Sequence, residues 1–365
     1  MENRARSMEN LGRLKMDLSF YKGKTVLVTG HTGFKGSWLS KILIMNGAKV
    51  VGYSLKSPTN PNLFSLLGLE KQMISIIGDI RDLEKLNSIF DEYQPEIVFH
   101  LAAQPIVRTS YEEPVYTYDV NVMGTVNICE CVRRHKCVKS FLNVTTDKVY
   151  ENDDIPDHPF KEDEKLDGYD PYSNSKSCSE IVTHSFYKSF LKDLNIAVST
   201  ARAGNVIGGG DFSKDRIIPD AARALSDGKE LVIRNPDSTR PYQHVLEPLA
   251  CYLLIAKEQY FNHALCGAYN IGPDSCDFSS TKKLIELFSN CFKNEFRYVI
   301  KRDNGPHEAA FLSLDNSKIK TVFNWSPKVH IEEAVKLSAE WYDLWRNNIE
   351  IVSITEKQIK EYFNE

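Results

Sequence analysis

The feature that most constrains the fold is a short strand that runs directly into a glycine turn and a helix. Residues 25–30 read TVLVTG, residues 30–36 read GHTGFKG, and the helical stretch SWLSKILIMNGA follows. Five further apolar or β-branched runs, separated by helical stretches, predict strands over 48–55, 73–79, 96–103, 139–146 and 195–203. Because strands alternating with helices form parallel sheets covered on both faces, the sequence predicts a Rossmann-type, doubly wound α/β domain.

The glycine turn has the spacing of a nucleotide-binding loop. Gly30 permits the tight turn, Gly33 allows the backbone to approach a ligand, and Gly36 allows close packing of helix on strand. The helix N-terminus offers unpaired N–H groups and a positive dipole that suit a pyrophosphate. We therefore predict a dinucleotide site, the alternative being an ordinary strand–helix turn.

The choice between NAD and NADP depends on the end of the second strand. An acidic residue there grips the adenosine 2′-hydroxyl of NAD, but this strand ends Ser54-Leu55-Lys56. Lys56 could favour a 2′-phosphate, so these residues alone leave the cofactor open. Asp79, at the end of the third strand, is predicted to receive the adenine ring, or else to cap the strand end.

Tyr172 and Lys176 form a YxxxK pattern at the start of a predicted helix. Residues four apart share one helix face, so the lysine cation can stabilise the phenolate and make Tyr172 a usable base. The alternative is an exposed pair on a helix surface. The glycine turn upstream favours the catalytic interpretation.

The strand that precedes this helix ends in Thr145-Thr146-Asp147-Lys148. Strand carboxyl ends in such sheets face the ligand crevice. Thr146 could bind a reacting hydroxyl, while Asp147 and Lys148 add an acid and a base that plain hydride transfer does not need. The alternative is a surface ion pair.

Basic and small polar residues recur in the second half of the chain: Asn205, Arg216, Arg234, Arg240 and Arg302. Each by itself is more often a solvated surface residue. Collectively, the arginines predict a diphosphate ligand, which they would bind by charge-assisted hydrogen bonds.

Length and charge narrow the remaining choices. The strand–helix rhythm breaks after about Ala203, and 365 residues favour two units. We expect a flexible extension over 1–15, a cofactor domain over 16–202 joined by 241–272, and a substrate domain from 203–240 and 273–365. With 45 Lys+Arg against 49 Asp+Glu, the net charge of −4 argues against a nucleic-acid or membrane partner.

The cysteines and the N-terminus indicate a cytoplasmic protein. The eight cysteines are scattered, without zinc spacing, so no metal is expected and reduced buried thiols are favoured. The first fifteen residues lack the apolar core of a signal peptide. The apolar run from Leu249, LACYLLIA, predicts a buried helix rather than a membrane span.

Motifs over nearly the whole chain from about Phe20 resemble the extended short-chain dehydrogenase/reductase superfamily of nucleotide-sugar enzymes. Within it they are most similar to the CDP-glucose 4,6-dehydratases. The motifs are GHTGFKGSWL, GYSL with PTNPNLF, HLAAQPIVRTSY, NVMGT, TTDKVY, YSNSK, NVIGGGDF, RNPDSTRPYQHVLEPL and HEA. Two departures concern Tyr242, where Trp is usual, and Ser177-Cys178, where Ala is commoner.

The resemblance implies roles for individual residues. It implies an NAD site formed by Gly30, Gly33, Phe34, Gly36, Asp79, Ile80, Ala102, Tyr172 and Lys176. It implies catalysis by Thr146, Asp147, Lys148, Tyr172 and Lys176. It implies binding of a nucleotide-sugar, expected to be CDP-glucose, by Ser110, Asn205, Arg216, Arg234, Arg240 and His307.

The implied reaction turns CDP-glucose into CDP-4-dehydro-6-deoxyglucose and water, towards deoxysugars of lipopolysaccharide O-antigen. The alternatives are a dehydratase for a dTDP-, UDP- or GDP-sugar, an epimerase or reductase on the same scaffold, and a non-catalytic dinucleotide sensor. The resemblance also implies that helices around 121–135 and 174–191 pair two subunits into a four-helix bundle. Both helices carry more apolar residues than one buried face needs.

Overall fold

The computed structural model describes residues 16–155, 157–292, 296–301 and 311–364. The predictions for residues 1–15, Arg302 and His307 therefore lie outside the described residues. In chain order the strands are β1 (Thr25–Thr29), β2 (Lys49–Ser54), β3 (Ile74–Ile77), β4 (Ile97–His100), β5 (Ser140–Val144), β6 (Pro159–Phe160), β7 (Ala197–Ala203), β8 (Val206–Ile207), β9 (Glu230–Ile233), β10 (Thr239–Arg240), β11 (Gln243–His244), β12 (Ala268–Ile271), β13 (Ser279–Ser280), β14 (Arg297–Ile300) and β15 (Ser313–Leu314).

The α-helices of the described residues alternate with these strands in the first half of the chain and cluster near its end. They are α1 (Phe34–Met45), α2 (Leu63–Leu66), α3 (Leu83–Tyr93), α4 (Val107–Glu112), α5 (Pro114–Tyr118), α6 (Gly124–Arg134), α7 (Pro171–Phe186), α8 (Ile217–Ser226), α9 (Leu246–Phe261), α10 (Thr281–Asn290), α11 (Ser317–Phe323), α12 (Ile331–Arg346) and α13 (Val352–Asn364).

Seven strands form one parallel sheet in the order β12-β7-β5-β4-β1-β2-β3. The six strands predicted from the sequence all belong to it, so the predicted α/β fold class is confirmed. β12, which the strand pattern did not predict, is the edge strand beside β7.

Alternate residues of β1 pack into different cores, so both faces of the sheet are buried. Val26 and Val28 belong to one apolar cluster, which includes Trp38 of α1 and Leu249 of α9. Leu27 belongs to a second cluster with residues of α3 and α6. This period of two follows from the pleat of a strand and explains why the first strand is apolar throughout.

Two predicted helices differ in their bounds. The prediction over 121–135 corresponds to a π-helical turn, Asp119–Met123, followed by α6, and α7 continues into a second π-helical turn, Tyr187–Leu191. α7 begins at Pro171 because proline is tolerated in the first turn and Asp170 accepts a hydrogen bond from the Ser173 N–H.

After β7 the regular alternation ends, and the remaining strands other than β12 form short pairs such as β9 with β14. α9, which contains the apolar run from Leu249, packs against β5 and β7 as a buried helix. The division into domains at residues 202/203 stays a prediction. Among the helices of the described residues, none has both the length and the apolar content to cross a membrane.

Candidate active site

A crevice of about 400 Å³ opens where β4, β5 and β7 end. Parallel strands place their carboxyl ends at one edge of the sheet, which is why residues far apart in sequence meet there. Nine residues predicted for catalysis or substrate binding line it: Thr146, Asp147, Lys148, Tyr172, Lys176, Asn205, Arg216, Arg234 and Arg240.

The segment that follows β5 places a buried carboxyl group in this crevice. The Thr146 hydroxyl donates to Asp147 Oδ1 over 2.8 Å, and Thr146 also caps the one-turn helix Asp147–Val149. Asp147 is only 2% exposed, and its Oδ2 has no hydrogen-bond partner within the described residues. A Cβ added to Gly204 would lie 3.2 Å from this Oδ2, so a glycine leaves the oxygen room. Asp147 thus has one fixed oxygen and one available to a ligand.

Lys148 follows directly and also lines the crevice. Its backbone N–H contacts Thr146 Oγ1 at 3.4 Å. Across the described part of the chain, no hydrogen bond or ion pair holds its ammonium group. Lys148 Nζ is therefore available to a ligand.

Tyr172 and Lys176 lie one turn apart on α7 and both reach the crevice. Lys176 Nζ donates to the Val144 carbonyl at the end of β5 over 3.1 Å. Burial lowers the pKa of Lys176 to about 8, opposed by the charge of Glu180. The ammonium form remains accessible near neutral pH.

Burial raises the pKa of Tyr172 to about 12, although a hydrogen bond with Thr146 and the charge of Arg216 act in the opposite direction. The sequence-based expectation that a neighbouring cation brings this pKa towards the working pH is therefore not met by the protein alone. The loss of hydration at the phenol outweighs the hydrogen bond with Thr146 and the attraction of Arg216. For Tyr172 to act as a base near neutral pH, a ligand bound in the crevice must lower this pKa.

Two of the arginines predicted to hold a diphosphate, Arg216 and Arg234, are paired with carboxylates. Arg216 lies 3.5 Å from Asp211, and Arg234 lies 2.9 Å from Asp215. Arg240 is buried and donates to the Thr239 carbonyl over 2.9 Å. These carboxylates also line the crevice, and the sequence analysis missed them because their partners are set by tertiary structure.

Two further cations of the crevice, Lys35 and Arg108, were also missed. Lys35 is the second residue of α1. Burial, with repulsion from Arg216 and Lys176, lowers its pKa to about 7. The signal was present in the sequence, because a lysine in the first turn after a glycine loop lies where a bound anion is expected.

The glycine turn has the geometry of a dinucleotide cradle. Gly30 has φ +76°, in the left-handed region that glycine favours, and a Cβ added to Gly36 would overlap the Gly30 carbonyl oxygen. Gly33 is the N-cap of α1 and contributes no side-chain hydrogen bond, so the first N–H groups of the helix are left for a ligand.

The other predicted cofactor residues surround this turn. The Ala102 N–H donates to Thr29 Oγ1 over 3.2 Å. Ile80 packs on Gly124, where an added Cβ would meet its side chain at 2.7 Å. Asp79 accepts hydrogen bonds from Arg81, which lower its pKa. The Asp79 carboxylate is therefore occupied by Arg81.

At the end of β2, where an acid would bind a ribose, the Thr32 and Ser54 hydroxyls lie 2.7 Å apart. Lys56 is exposed. This edge of the cradle offers hydroxyl groups and one lysine.

Ser110 is placed differently from the prediction. It is fully buried, its hydroxyl donates to the Val107 carbonyl over 2.7 Å, and it does not line the crevice. The motif around it suggested a substrate contact, but α4 turns this side chain inward. The geometry gives Ser110 no direct contact with a ligand in the crevice.

Comparison with known proteins agrees with this architecture. The family model described as GDP-mannose 4,6 dehydratase matches residues 27–338. The chain is 42% identical over 355 residues to a protein of Salmonella typhimurium strain LT2 named CDP-glucose 4,6-dehydratase, covering 96% of this chain and 99% of that protein.

Solved structures share the fold. UDP-glucose 4-epimerase of Thermotoga maritima, solved with UDP-glucose, is 26% identical with a TM-score of 0.76, covering 87% of this chain and 98% of that one. dTDP-glucose 4,6-dehydratase of Bacillus anthracis, solved with NAD, is 23% identical with a TM-score of 0.72, covering 88% and 97%. The resemblance seen in the motifs is thereby confirmed, and the chain belongs to the GDP-mannose 4,6 dehydratase family of nucleotide-sugar 4,6-dehydratases.

Proposed function

We propose that this chain converts CDP-glucose into CDP-4-dehydro-6-deoxyglucose and water. The observation that carries the proposal is the buried Asp147 carboxyl, one oxygen of which has no partner among the described residues, beside Thr146 and Tyr172 in one crevice. Oxidation of an alcohol needs the tyrosine, threonine and lysine but no such acid. A second proton-transfer group indicates a second reaction, and loss of water requires one. The CDP-glucose substrate is supported by the 42% identity to the Salmonella protein of that name.

NAD fits the residues at the glycine turn. The N–H groups at the start of α1 and the space above Gly33 would hold its pyrophosphate, and Lys176 would hold the nicotinamide ribose. When bound, NAD would accept a hydride from C4 of the sugar and return it to C6, leaving no net oxidation. β2 does not end in an acid, and the choice of NAD over NADP is supported by the family resemblance.

Tyr172, Thr146 and Lys176 carry the oxidation of C4. The Tyr172 phenolate takes the proton of the C4 hydroxyl, and Thr146 orients that hydroxyl. Because burial raises the pKa of Tyr172 to about 12, the phenolate depends on nearby cations, which include Lys176 and the bound cofactor.

Lys148 and Asp147 carry the loss of water. The new C4 ketone acidifies the C5 proton, which Lys148 removes as a neutral amine. Asp147, protonated, gives its proton to the departing C6 hydroxyl through Oδ2, the oxygen left without a hydrogen-bond partner in the described part of the chain. Lys148 then returns a proton to C5, and the proton that Tyr172 took restores Asp147.

Asn205, Arg216, Arg234 and Arg240 are proposed to hold the diphosphate. Their present partners Asp211 and Asp215 would give way to phosphate oxygens, which offer stronger charge-assisted hydrogen bonds to arginine.

The test is turnover of a panel of nucleotide-sugars. Purified protein is incubated with CDP-glucose, dTDP-glucose, UDP-glucose and GDP-mannose, and mass spectrometry follows the loss of one water. We expect the 4-keto product from CDP-glucose, and none from the Tyr172→Phe variant. A product that keeps its 6-oxygen would indicate an epimerase or reductase, and preference for another nucleotide would correct the substrate.

A further inference from the structure

Behind the proposed catalytic residues lies a buried ion pair that none of the proposed steps uses. Glu180 of α7 and Arg202 of β7 are each 4% exposed, and Arg202 Nη2 lies 2.9 Å from Glu180 Oε2. Thr200 also donates to this oxygen, over 2.7 Å. Burying two opposite charges is costly and often stabilises no better than an apolar pair, so such a pair calls for a role beyond packing.

One member of the pair holds the start of the catalytic segment. Glu180 Oε1 accepts a hydrogen bond from the hydroxyl of Thr145, the residue directly before Thr146. Thr145 is buried, and its N–H donates to the Ala201 carbonyl over 2.9 Å. The start of the segment is therefore fixed to both α7 and β7.

The other member holds the end of the same segment. Arg202 Nη1 donates to the Tyr150 hydroxyl over 2.8 Å, and the guanidinium lies 5.1 Å from the centre of the Tyr150 ring. The Tyr150 hydroxyl in turn donates to Asn270 over 2.6 Å. Residues 146–149, which contain the proposed acid and base, are thus held at both ends by one ion pair.

Glu180 also faces Lys176, because residues four apart lie on one helix face. Tyr172 lies one turn earlier on the same helix, and the other charged or titratable groups that interact with the Lys176 ammonium come from neighbouring elements: Lys35 of α1 and His100 of β4. Burial lowers the pKa of Lys176, and Glu180 is the group that opposes this shift. Without Glu180, the ammonium would face a neutral phenol, a cation and a buried imidazole.

We propose that Glu180 and Arg202 are positioning residues, which hold the two ends of the catalytic segment through Thr145 and Tyr150, and that Glu180 also supplies the counter-charge of Lys176. The positioning of a reaction step rests on the proposed function. The counter-charge can be measured without turnover.

The first experiment measures the titration of Lys176 in the full-length protein. Trace acetic anhydride labels neutral amines, and mass spectrometry of the peptide that contains Lys176 gives the labelled fraction across a pH series. In Glu180→Gln we expect the midpoint at lower pH, because an anion is lost and Arg202 remains. In Thr200→Val, which keeps the carboxylate, we expect the wild-type midpoint. An unchanged midpoint in Glu180→Gln overturns the counter-charge role.

Glu180→Gln leaves a buried, unpaired arginine and can fail to fold. The double variant Glu180→Gln/Arg202→Met removes both charges. The midpoint of Lys176 should again move to lower pH, because Glu180 is the charge that opposes the lowering of its pKa. A wild-type midpoint in a folded double variant contradicts the proposal.

The second experiment separates positioning from general stability. Tyr150→Phe detaches the end of the segment from Arg202 while leaving the ion pair intact. Its control is Tyr21→Phe, which also removes a buried hydroxyl group, here bonded to the Leu253 carbonyl outside the crevice, whereas the Tyr150 hydroxyl bonds both Arg202 and Asn270. We expect kcat to fall about 10-fold or more in Tyr150→Phe with little change in KM, because small misplacements of reacting groups lower the reaction rate strongly.

Equal kcat values for Tyr150→Phe and Tyr21→Phe would overturn the positioning role. If the wild-type protein turns over no nucleotide-sugar, the proposed function fails, and the titration of Lys176 still decides the role of Glu180.

Discussion

Asp147 is the residue on which the proposed chemistry depends most. Its Oδ1 is fixed by the Thr146 hydroxyl, its Oδ2 has no partner in the described residues, and Gly204 leaves space beside it. Asp147 is buried in the crevice that Tyr172 and Lys148 also line, so its open oxygen can contact the same bound sugar.

Asp147→Asn should block loss of water while preserving oxidation, because an amide cannot donate a carboxylic proton. We expect product formation to fall by about 100-fold or more, the range that general acids contribute. Reduced nicotinamide should accumulate on the protein and be seen by its absorbance.

The matched control for this substitution is Asp227→Asn, an exposed residue at the end of α8 that pairs with Lys229. It should keep wild-type turnover. Normal turnover in Asp147→Asn would remove this residue from the acid role.

The pH dependence of the oxidation step should report Lys176. Below about pH 8 the rate should rise with pH as the Tyr172 phenol ionises. Above it, Lys176 loses its proton while the phenolate fraction still rises, the two effects cancel, and the rate should level off. Single-turnover formation of reduced nicotinamide across pH measures this profile.

Lys176→Arg tests the assignment, because a guanidinium stays charged over the whole range. Whatever its absolute rate, it should continue to rise with pH above about 8, where the wild-type rate levels off. A plateau at the wild-type pH would mean that another group causes it.

At the scale of elements, the structure depends on where helices begin and what holds their ends. α1 begins at the glycine turn and packs closely on β1, and α13 is tied to α9 through Glu247. The Glu247 carboxylate accepts hydrogen bonds from the N–H groups of Lys328 and Val329 and from the Tyr362 hydroxyl, over 2.7–2.9 Å.

Two glycine substitutions should separate cofactor binding from folding. Gly36→Ala places a Cβ onto the Gly30 carbonyl, so both Tm and NAD binding should fall. At Gly33 the nearest atom to an added Cβ is 3.4 Å away, so Gly33→Ala should keep its Tm while losing NAD affinity. Thermal melts and calorimetric titration with NAD measure the two effects, and a stable Gly36→Ala protein that binds NAD normally would contradict this packing.

Glu247 should make stability depend on pH. Burial raises its pKa to about 7, so between its unfolded value and about 7 the folded protein binds a proton that the unfolded chain does not. This contribution to stability is present at acid pH and is lost as pH rises through about 7. At most it amounts to about 3 kcal/mol, since one pKa unit corresponds to about 1.36 kcal/mol.

Glu247→Gln removes the titrating group. The fall in Tm between about pH 5 and about pH 8 should therefore be smaller in the variant than in the wild type. Equal falls would show that Glu247 does not contribute.

The sequence predicts the elements better than the contacts between them. The six strands follow from short apolar runs, and Thr146, Asp147, Tyr172 and Lys176 meet because strand ends and helix starts share one edge of the sheet. Contacts that depend on tertiary structure were not predictable, as the pairing of Arg234 with Asp215 illustrates.

Single side chains show the same limit. Ser110 turns inward although its motif suggested a substrate contact, and the pKa of Tyr172 rises because burial outweighs the hydrogen bond with Thr146 and the charge of Arg216.

At the scale of the whole molecule, α6 and α7 pack side by side and leave an apolar surface. Met123, just before α6, is 48% exposed, Ile181 of α7 is 55% exposed, and Phe190 is 44% exposed. Exposed apolar side chains on neighbouring helices are typical of protein contacts, and we propose that two copies of the chain pair these helices in a homodimer.

Ile181→Asp should disrupt this pairing, because a charge buried at an interface is not compensated. Light scattering should give about twice 41.6 kDa for the wild type and 41.6 kDa for the variant. Phe261→Asp, which changes an exposed aromatic residue of α9, should keep the wild-type mass. A wild-type protein that stays at 41.6 kDa at micromolar concentration would refute the dimer.

α7 connects this surface to the crevice, because its first turns carry Tyr172 and Lys176 and its outer face carries Ile181. Its sixteen residues span about 24 Å at 1.5 Å per residue. In the proposed homodimer, a genetic screen for loss of function would recover substitutions on the exposed side of this helix together with those in the crevice. Position in the sequence alone would not distinguish the two groups. A compensating substitution in the second copy of the chain would suppress the surface group and not the crevice group.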